Sequence, residues 1–378
     1  MTITQNCSVI AHRPQVFAAV ERDAITASNG VAPVLALDFT TRDWRVAGRD
    51  VSAPLLGARL DQSLFLGATK GLVLEPERIN LVYPSAVASS GWGTNGSTTI
   101  QAASGMAFAG LDGCVITSGG VSWGRAFSNM FTLTAGADYT VSTWIAAGTS
   151  GRARLELYGA GVDLIVEGTI GALAATYQSG GTISNLSQEQ IGGLWRLSFQ
   201  VTATSTVSNV TFGVGPSSTT AGQTVIAYAA QVENGQNATD YIQTTTAQHT
   251  RPADTPHLPL GMWFAPDKGG CILELATLHG EHSDILAFKD DSGTVVAQLS
   301  CDGSGSLSLN TSTHPATVSF NAPHQLALSW QAGTMSLALD GGMPSDTTID
   351  LSDAATLHFG PAHARVSALY LYDRALSL

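Results

Sequence analysis

The residues of this chain best suited to chemistry are flat rings set among hydroxyls and amides. In DYTVSTWI, the two-residue period of a strand puts Tyr139, Val141, Thr143 and Ile145 on one face and Thr140, Ser142, Trp144 and Ala146 on the other. The first face reads as core, which leaves Trp144 on an outer sheet surface among small hydroxyl residues. The same period in ARLELYG sends Leu155 and Leu157 inward and Arg154, Glu156 and Tyr158 outward. In LWRLSFQV it sends Trp195, Leu197 and Phe199 inward and Arg196, Ser198 and Gln200 outward. Trp144, Tyr158, Arg196 and Gln200 are therefore expected on one concave face, where a ring can stack on a pyranose while its neighbours bond the sugar hydroxyls. Burial in the core is the alternative for Trp144. Trp92 in SSGWGTNG and Trp123 in GGVSWGRAF occupy Gly/Ser-rich loops and read as further ring contacts, or as plugs that pin their loops. Trp44, Trp263 and Trp330 sit in strand-like runs and read as structural.

Reactive chemistry finds less support. His279, Glu281 and His282 in LHGEHSD invite a metal, but the stretch looks like a hairpin tip, where a solvated loop is the simpler reading. Lys289, Asp290 and Asp291 in KDDSGT resemble a turn; a structural calcium there would need several oxygen ligands at once. Glycan cleavage needs two carboxylates poised across a cleft. Glu156, Asp163 and Glu167 point outward, yet no spacing pairs them, and Glu233 reads as structural. HExxH and GxxxxGK[ST] are missing, and no catalytic residue, no metal ligand and no required cofactor is assigned. The four cysteines (Cys7, Cys114, Cys271, Cys301) show no CxxC spacing. Cys271 and Cys301 fall in one predicted domain and could pair; free buried thiols are the alternative.

The elements that must position these residues are strands. Forty glycines, abundant Thr, Ser, Ala and Val, and only 12% charged residues favour short strands and tight turns over helices, so the fold class is all-β. From Asn80 onward, segments such as FTLTAGADYTVSTWIAAG, DLIVEG, VTFGVG and TVIAYAAQVENG alternate in polarity and are separated by Gly, Ser, Asn and Asp clusters, the pattern of a β-sandwich. QTTTAQHTRPADTPHLP is polar, carries X-Pro breaks at Pro252, Pro256 and Pro259 and reads as a linker. About eight further strands follow it. The expected organisation is an N-terminal attachment region (1–75) and two jelly-roll sandwiches in series (76–250 and 251–378). TIGALAATY is the nearest candidate for a helix, or else a loop.

A net charge of −12 with three lysines repels phosphate backbones and anionic headgroups, which argues against nucleic-acid binding and membrane insertion. The opening MTITQNCSVIAHRPQ lacks the basic and apolar regions of a signal peptide, so an extracellular role would require release by host lysis.

One segment is familiar. AAQVENGQNATDYIQTTTAQHTRPAD (Ala229 to Asp254) resembles the segment GAQLE-x-G-x-x-A-T-x-Y-I-P-T and TR-x-AD tail that close a jelly-roll module of phage fibre, spike and other virion proteins. EPERINLV, DYTVSTWIAAG and GGLWRLSFQV fall upstream in that module's order, and the likeness covers roughly 180 residues. Ala146 stands where the module usually has Lys and Leu194 where it usually has Trp, so a glycan contact made by those two positions does not transfer. HQLALSWQAGTMSLALDGG and ALYLYDRAL are similar to laminin-G or concanavalin-like sandwiches. The pairing looks like head spikes and fibres of tailed phages and gene transfer agents. The resemblance implies a homo-oligomer on the particle surface, docked through its N-terminal region to a capsid or another spike or fibre protein, that binds bacterial surface polysaccharide (capsule). A capsule depolymerase and a decoration protein without glycan binding are the alternatives.

Overall fold

The computed structural model describes residues 35–38, 43–46, 49–50, 59–60, 71–88, 90–108, 111–261, 264–278, 280 and 283–378 of the 378. Among these the fold is all-β: every regular element is a strand, and the sheets are antiparallel throughout. The chain divides into two compact units, one spanning Glu77–Pro252 and the other uniting Ala253–Leu378 with the described strands that precede Glu77.

The Glu77–Pro252 unit is a sandwich of two sheets. The first runs, edge to edge, through Gly181–Ile191, Leu194–Ala203, Asp138–Ala147, Thr224–Asn234, Arg78–Asn80 and His249–Arg251. The second runs through Ala172–Ser179, Val162–Thr169, Arg152–Gly159, Val207–Gly215, Ala126–Phe127 and Gly93–Thr94. Alternation builds the core between them: Val141, Ile145, Leu197 and Phe199 of the first sheet share one buried cluster with Leu155, Leu157, Leu164 and Phe212 of the second. TIGALAATY is neither helix nor loop. Its residues from Ala172 onward pair with Val162–Thr169 as the edge strand of the second sheet, because Gly171 takes φ +89° and closes a tight turn.

The other unit is also a sandwich. A six-stranded sheet from His257–Pro259 to Ser312–Thr317 packs on a larger sheet centred on Lys268–Leu278, His324–Gln331 and Ala364–Tyr372. Here the expected boundary at residue 75 is corrected. Leu35–Asp38 pairs with Ala364–Tyr372, Leu37 is fully buried in the core of this sandwich, and Leu72–Leu74 pairs with the same strand. Part of the supposed attachment region thus completes the C-terminal sheet; the remainder, including residues 1–34, lies outside the described residues. Of the linker prolines, Pro252 and Pro256 lie outside any strand and Pro259 sits in an edge strand. Trp330 is core, its Nε1 donating to the Ala265 carbonyl at 2.9 Å. Trp263, His279, Glu281, His282 and the Trp44 side chain lie outside the described residues.

Candidate functional site

The first sheet corrects the expected ring face. Trp144 does stand on the side opposite Val141 and Ile145, but that side is covered and the indole is fully buried. The cover is the closing segment that follows Asn234. Tyr241 packs edge-on against Trp144 at 5.7 Å, and its hydroxyl meets Ser85 Oγ at 2.5 Å; burial pushes its pKa up to about 12. Arg196 lies over the indole at 5.1 Å and donates from Nη2 to the Thr239 carbonyl at 2.6 Å, so its charge serves the fold. Gln200 is buried as well, its Oε1 accepting from Ser184 and Asn185. Trp92 is the plug of the two readings: it is buried and donates from Nε1 to the Pro84 carbonyl at 2.9 Å.

Glu233 explains why the closing segment holds. It is completely buried and accepts from the Thr239 amide at 2.8 Å, the Thr239 hydroxyl at 2.6 Å and Gln231 Nε2 at 2.8 Å, with Arg78 Nε 4.0 Å away. Burial raises its pKa against these hydrogen bonds. Gln231 Oε1 then accepts from the Ile242 amide, and Asn80 Nδ2 donates to the Ile242 carbonyl. The part of the resemblance segment that follows Asn234 is a stitched flap over the first sheet.

The second sheet is different, because its outer face stays open. On Arg152–Gly159 the expected alternation holds: Leu155 and Leu157 are fully buried, whereas Tyr158 is 52% exposed. Cross-strand register lays out the face in rows. Tyr158 stands opposite Asp163 and Thr211, and Asp163 opposite Ser179; Glu156 stands opposite Ile165 and Gly213, and Ile165 opposite Tyr177; Arg154 stands opposite Glu167 and Gly215. Tyr177, 51% exposed, is thus a second ring on the same face. Tyr158 is separated by a whole sandwich core from Trp144, Arg196 and Gln200, so the four do not form one surface.

Polar groups fix this face. Glu156 Oε2 receives Arg125 Nη1 at 3.0 Å and Arg154 Nε at 2.8 Å, while Arg154 Nη1 reaches Glu167 Oε2 at 3.3 Å. Ser217 Oγ donates to the same Glu167 oxygen at 3.1 Å. Arg125 is the link that sequence reasoning missed. Its guanidinium lies 5.3 Å from the centre of the Tyr158 ring and donates from Nη1 to the Trp123 carbonyl at 3.2 Å, so Trp123, 49% exposed, belongs to the same margin. The arginine can lie flat there because residue 213 is glycine; a Cβ at that position would collide with Arg125 Cδ. Burial lowers the Arg125 pKa, with Glu156 opposing. The absence of any paired carboxylates is also corrected. Asp163 is raised by burial and then by the charge and hydrogen bond of Glu156, and its Oδ1 is buried without another partner.

Among the described residues, no group of three or more His, Cys, Asp or Glu is gathered to hold a metal. In KDDSGT, Asp290 Oδ1 accepts from the Ser292 hydroxyl at 2.7 Å and from the Ser292 and Thr294 amides at 2.9 and 2.8 Å, which holds its pKa down and commits that oxygen to the turn. Cys271 and Cys301 are free, buried thiols, as is Cys114; burial pushes Cys114 and Cys301 up to about 11.

No family model matches the chain, and no curated protein matches it. Solved structures give distant likenesses. The Clostridium thermocellum endo-1,4-β-D-xylanase 10B CBM22-1–GH10 modules, complexed with xylohexaose, are 17% identical over 45% of this chain with a TM-score of 0.30, and the match spans only 30% of that chain. The CBM22-1–CBM22-2 tandem domain of Paenibacillus barcinonensis Xyn10C is 10% identical over 80% of this chain and 98% of that one, TM-score 0.29. Mouse laminin α1 domains LG4–5 are 11% identical over 78% and 93%, TM-score 0.22. At these scores the likenesses carry no argument about the site.

Proposed function

We propose that the chain is a glycan-binding protein that holds sugar on the open face of the Tyr158 sheet. One observation carries the reading: two half-exposed tyrosine rings, Tyr158 and Tyr177, share a sheet face with guanidinium and carboxyl groups already locked in place by one another. Flat rings bury the apolar face of a pyranose, and fixed polar groups beside them bond its hydroxyls without being ordered anew on binding. The resemblance of Ala229 to Asp254 to the closing segment of virion spike modules supports a finer reading: a phage or gene-transfer-agent spike or fibre that grips the capsule of a bacterial host, in several copies acting through effective concentration. In that reading the particle is released by host lysis. The partners are bacterial polysaccharide, sister copies and a capsid or fibre protein, not nucleic acid or membrane.

Binding without cleavage is favoured over depolymerisation by the carboxyl pair itself. Glu156, the carboxyl beside Asp163, is buried and held by Arg125 at 3.0 Å and Arg154 at 2.8 Å, so it is committed to the two arginines and not poised across a cleft as acid, base or nucleophile. The test is retention of purified protein on polysaccharide from encapsulated and acapsular cells, with reducing ends assayed in parallel. Capsule-dependent retention that Tyr158→Ala and Tyr177→Ala both weaken, without new reducing ends, is expected. Retention unchanged in both variants would remove the face from consideration.

A further inference from the structure

The cations on the Tyr158 face are already engaged. Arg125 meets Glu156 at 3.0 Å, and Arg154 divides itself between Glu156 at 2.8 Å and Glu167 at 3.3 Å. Two guanidinium charges are thus matched by two carboxylates, and Asp163 adds a third carboxyl. The sum is 0 when Asp163 keeps its proton and −1 when it does not. Arg152 is the other cation at an outward position of this strand, and it stands six positions from Tyr158, about 20 Å along the strand. Thr211 and Ser179, the neighbours of Tyr158 and Asp163 in their row, are neutral hydroxyl residues. The chain as a whole carries −12.

We propose that this face selects uncharged glycans and discriminates against uronic, sialic, phosphorylated and sulfated sugars; this rests on the glycan-binding reading above. A carboxylate delivered to Tyr158 would lose water beside Glu156 and Asp163 while the nearest guanidinium, Arg125, is held by Glu156. Like charges meet and no cation is released to receive the ligand. A neutral sugar meets none of this opposition. Its hydroxyls can donate to the carboxyl oxygens of the face and bond the Ser179 hydroxyl. The same circuit states how the preference would be undone. Removing the charge of Glu156 while keeping its shape takes away the carboxylate that holds Arg125 at 3.0 Å beside the Tyr158 ring and leaves it only the attraction of Asp163.

The experiment uses the full chain and a printed array of neutral glycans. The best neutral binder is then compared by calorimetry with its C6-oxidised, uronic acid form, at about 20 mM and about 500 mM salt. The wild type is expected to bind the oxidised form at least about tenfold more weakly at low salt, with the gap narrowing at high salt as screening shortens the reach of the repulsion. Glu156→Gln is expected to shrink the gap several-fold while moving neutral binding less. Should that variant fail to fold, the salt dependence of the wild type decides alone. Equal or tighter wild-type binding of the oxidised glycan would overturn the selectivity and leave glycan binding standing. Retention of no glycan of either kind would overturn glycan binding, and the selectivity with it.

Discussion

Replacing Trp144 and Tyr158 separately by alanine should damage two different properties. Trp144 is fully buried, with Tyr241 at 5.7 Å and the Arg196 guanidinium at 5.1 Å. Truncating a buried aromatic costs about 3 to 5 kcal/mol, and losing a desolvated cation–π contact adds about 2. Against the ~5 to 15 kcal/mol that holds a typical domain, that is a third or more of the total. At ~2 to 4 °C per kcal/mol for a unit of this size, the Glu77–Pro252 transition should fall by at least about 10 °C. Tyr158 is half exposed, and its removal forfeits only a surface cation–π contact with Arg125 worth about 0.5 to 1 kcal/mol, so Tm should drop by no more than ~4 °C. Binding should move the other way. Loss of a stacking ring worth ~0.5 to 1.5 kcal/mol beyond its area weakens a single site by about 2- to 13-fold. Scanning calorimetry of both variants, with titration of a monovalent oligosaccharide to avoid avidity, reads the two effects apart. A Trp144→Ala protein that melts like the wild type but has lost binding would refute the assignment of the two faces.

Three further outcomes follow from the same geometry. Glu233→Ala strands the Thr239 amide and hydroxyl and Gln231 Nε2, and should cost about 3 to 5 kcal/mol in urea unfolding. Glu233→Gln should cost far less, since burial favours the neutral acid that glutamine imitates. In the C-terminal sandwich, the Asp340 hydrogen bond raises the His324 pKa above its unfolded value of about 6.5. The stability it lends is therefore complete below that pH and lost as pH rises through the folded value. The decline in Tm as pH rises above about 6.5 should flatten in Asp340→Asn. Gln188 lays its amide along the free edge at Leu173, donating at 3.0 Å and accepting at 2.9 Å. Gln188→Ala should expose that edge and increase concentration-dependent light scattering while leaving far-ultraviolet dichroism unchanged.

What the sequence discloses here is alternation, and alternation assigns sides without saying which sides are covered. The period-2 rule puts Leu155 and Leu157 in and Tyr158 out, and the structure agrees at each position. It also puts Trp144 on the outer side of its own strand, which is correct. Its burial depends on a flap almost 100 residues later, and nothing within DYTVSTWI reports that flap. Long-range cover also hides Leu37, whose strand pairs with one more than 300 residues away. Arg125 was hidden differently. It sits in a loop-like stretch whose only strand is two residues long, and its role becomes visible when Gly213 of another strand lets it lie across Glu156. Tyr177 sits in an alanine-rich run whose helix propensity competes with its pairing; tertiary context decides in favour of the strand.

The flap gives the resemblance segment a physical meaning that bears on where ligand specificity can reside. A sandwich has two outer faces, and a flap stitched through Glu233, Gln231 and Asn80 removes one of them from ligand contact. Residues that hold such a flap are constrained by buried hydrogen bonds, so substitution there is answered by loss of fold rather than by change of ligand. The opposite face has no such constraint beyond its arginine–carboxylate circuit: Tyr158, Tyr177 and Ser179 can change with little structural cost. If the flap has this role, a chimera that keeps 224–252 and exchanges the outward residues of Arg152–Gly159, Val162–Thr169 and Ala172–Ser179 should melt within a few degrees of the parent and bind a different sugar. Exchange of 236–244 alone should lower the melting temperature and leave sugar preference where it was; a shift in preference from that exchange would place the ligand under the flap and sink the argument.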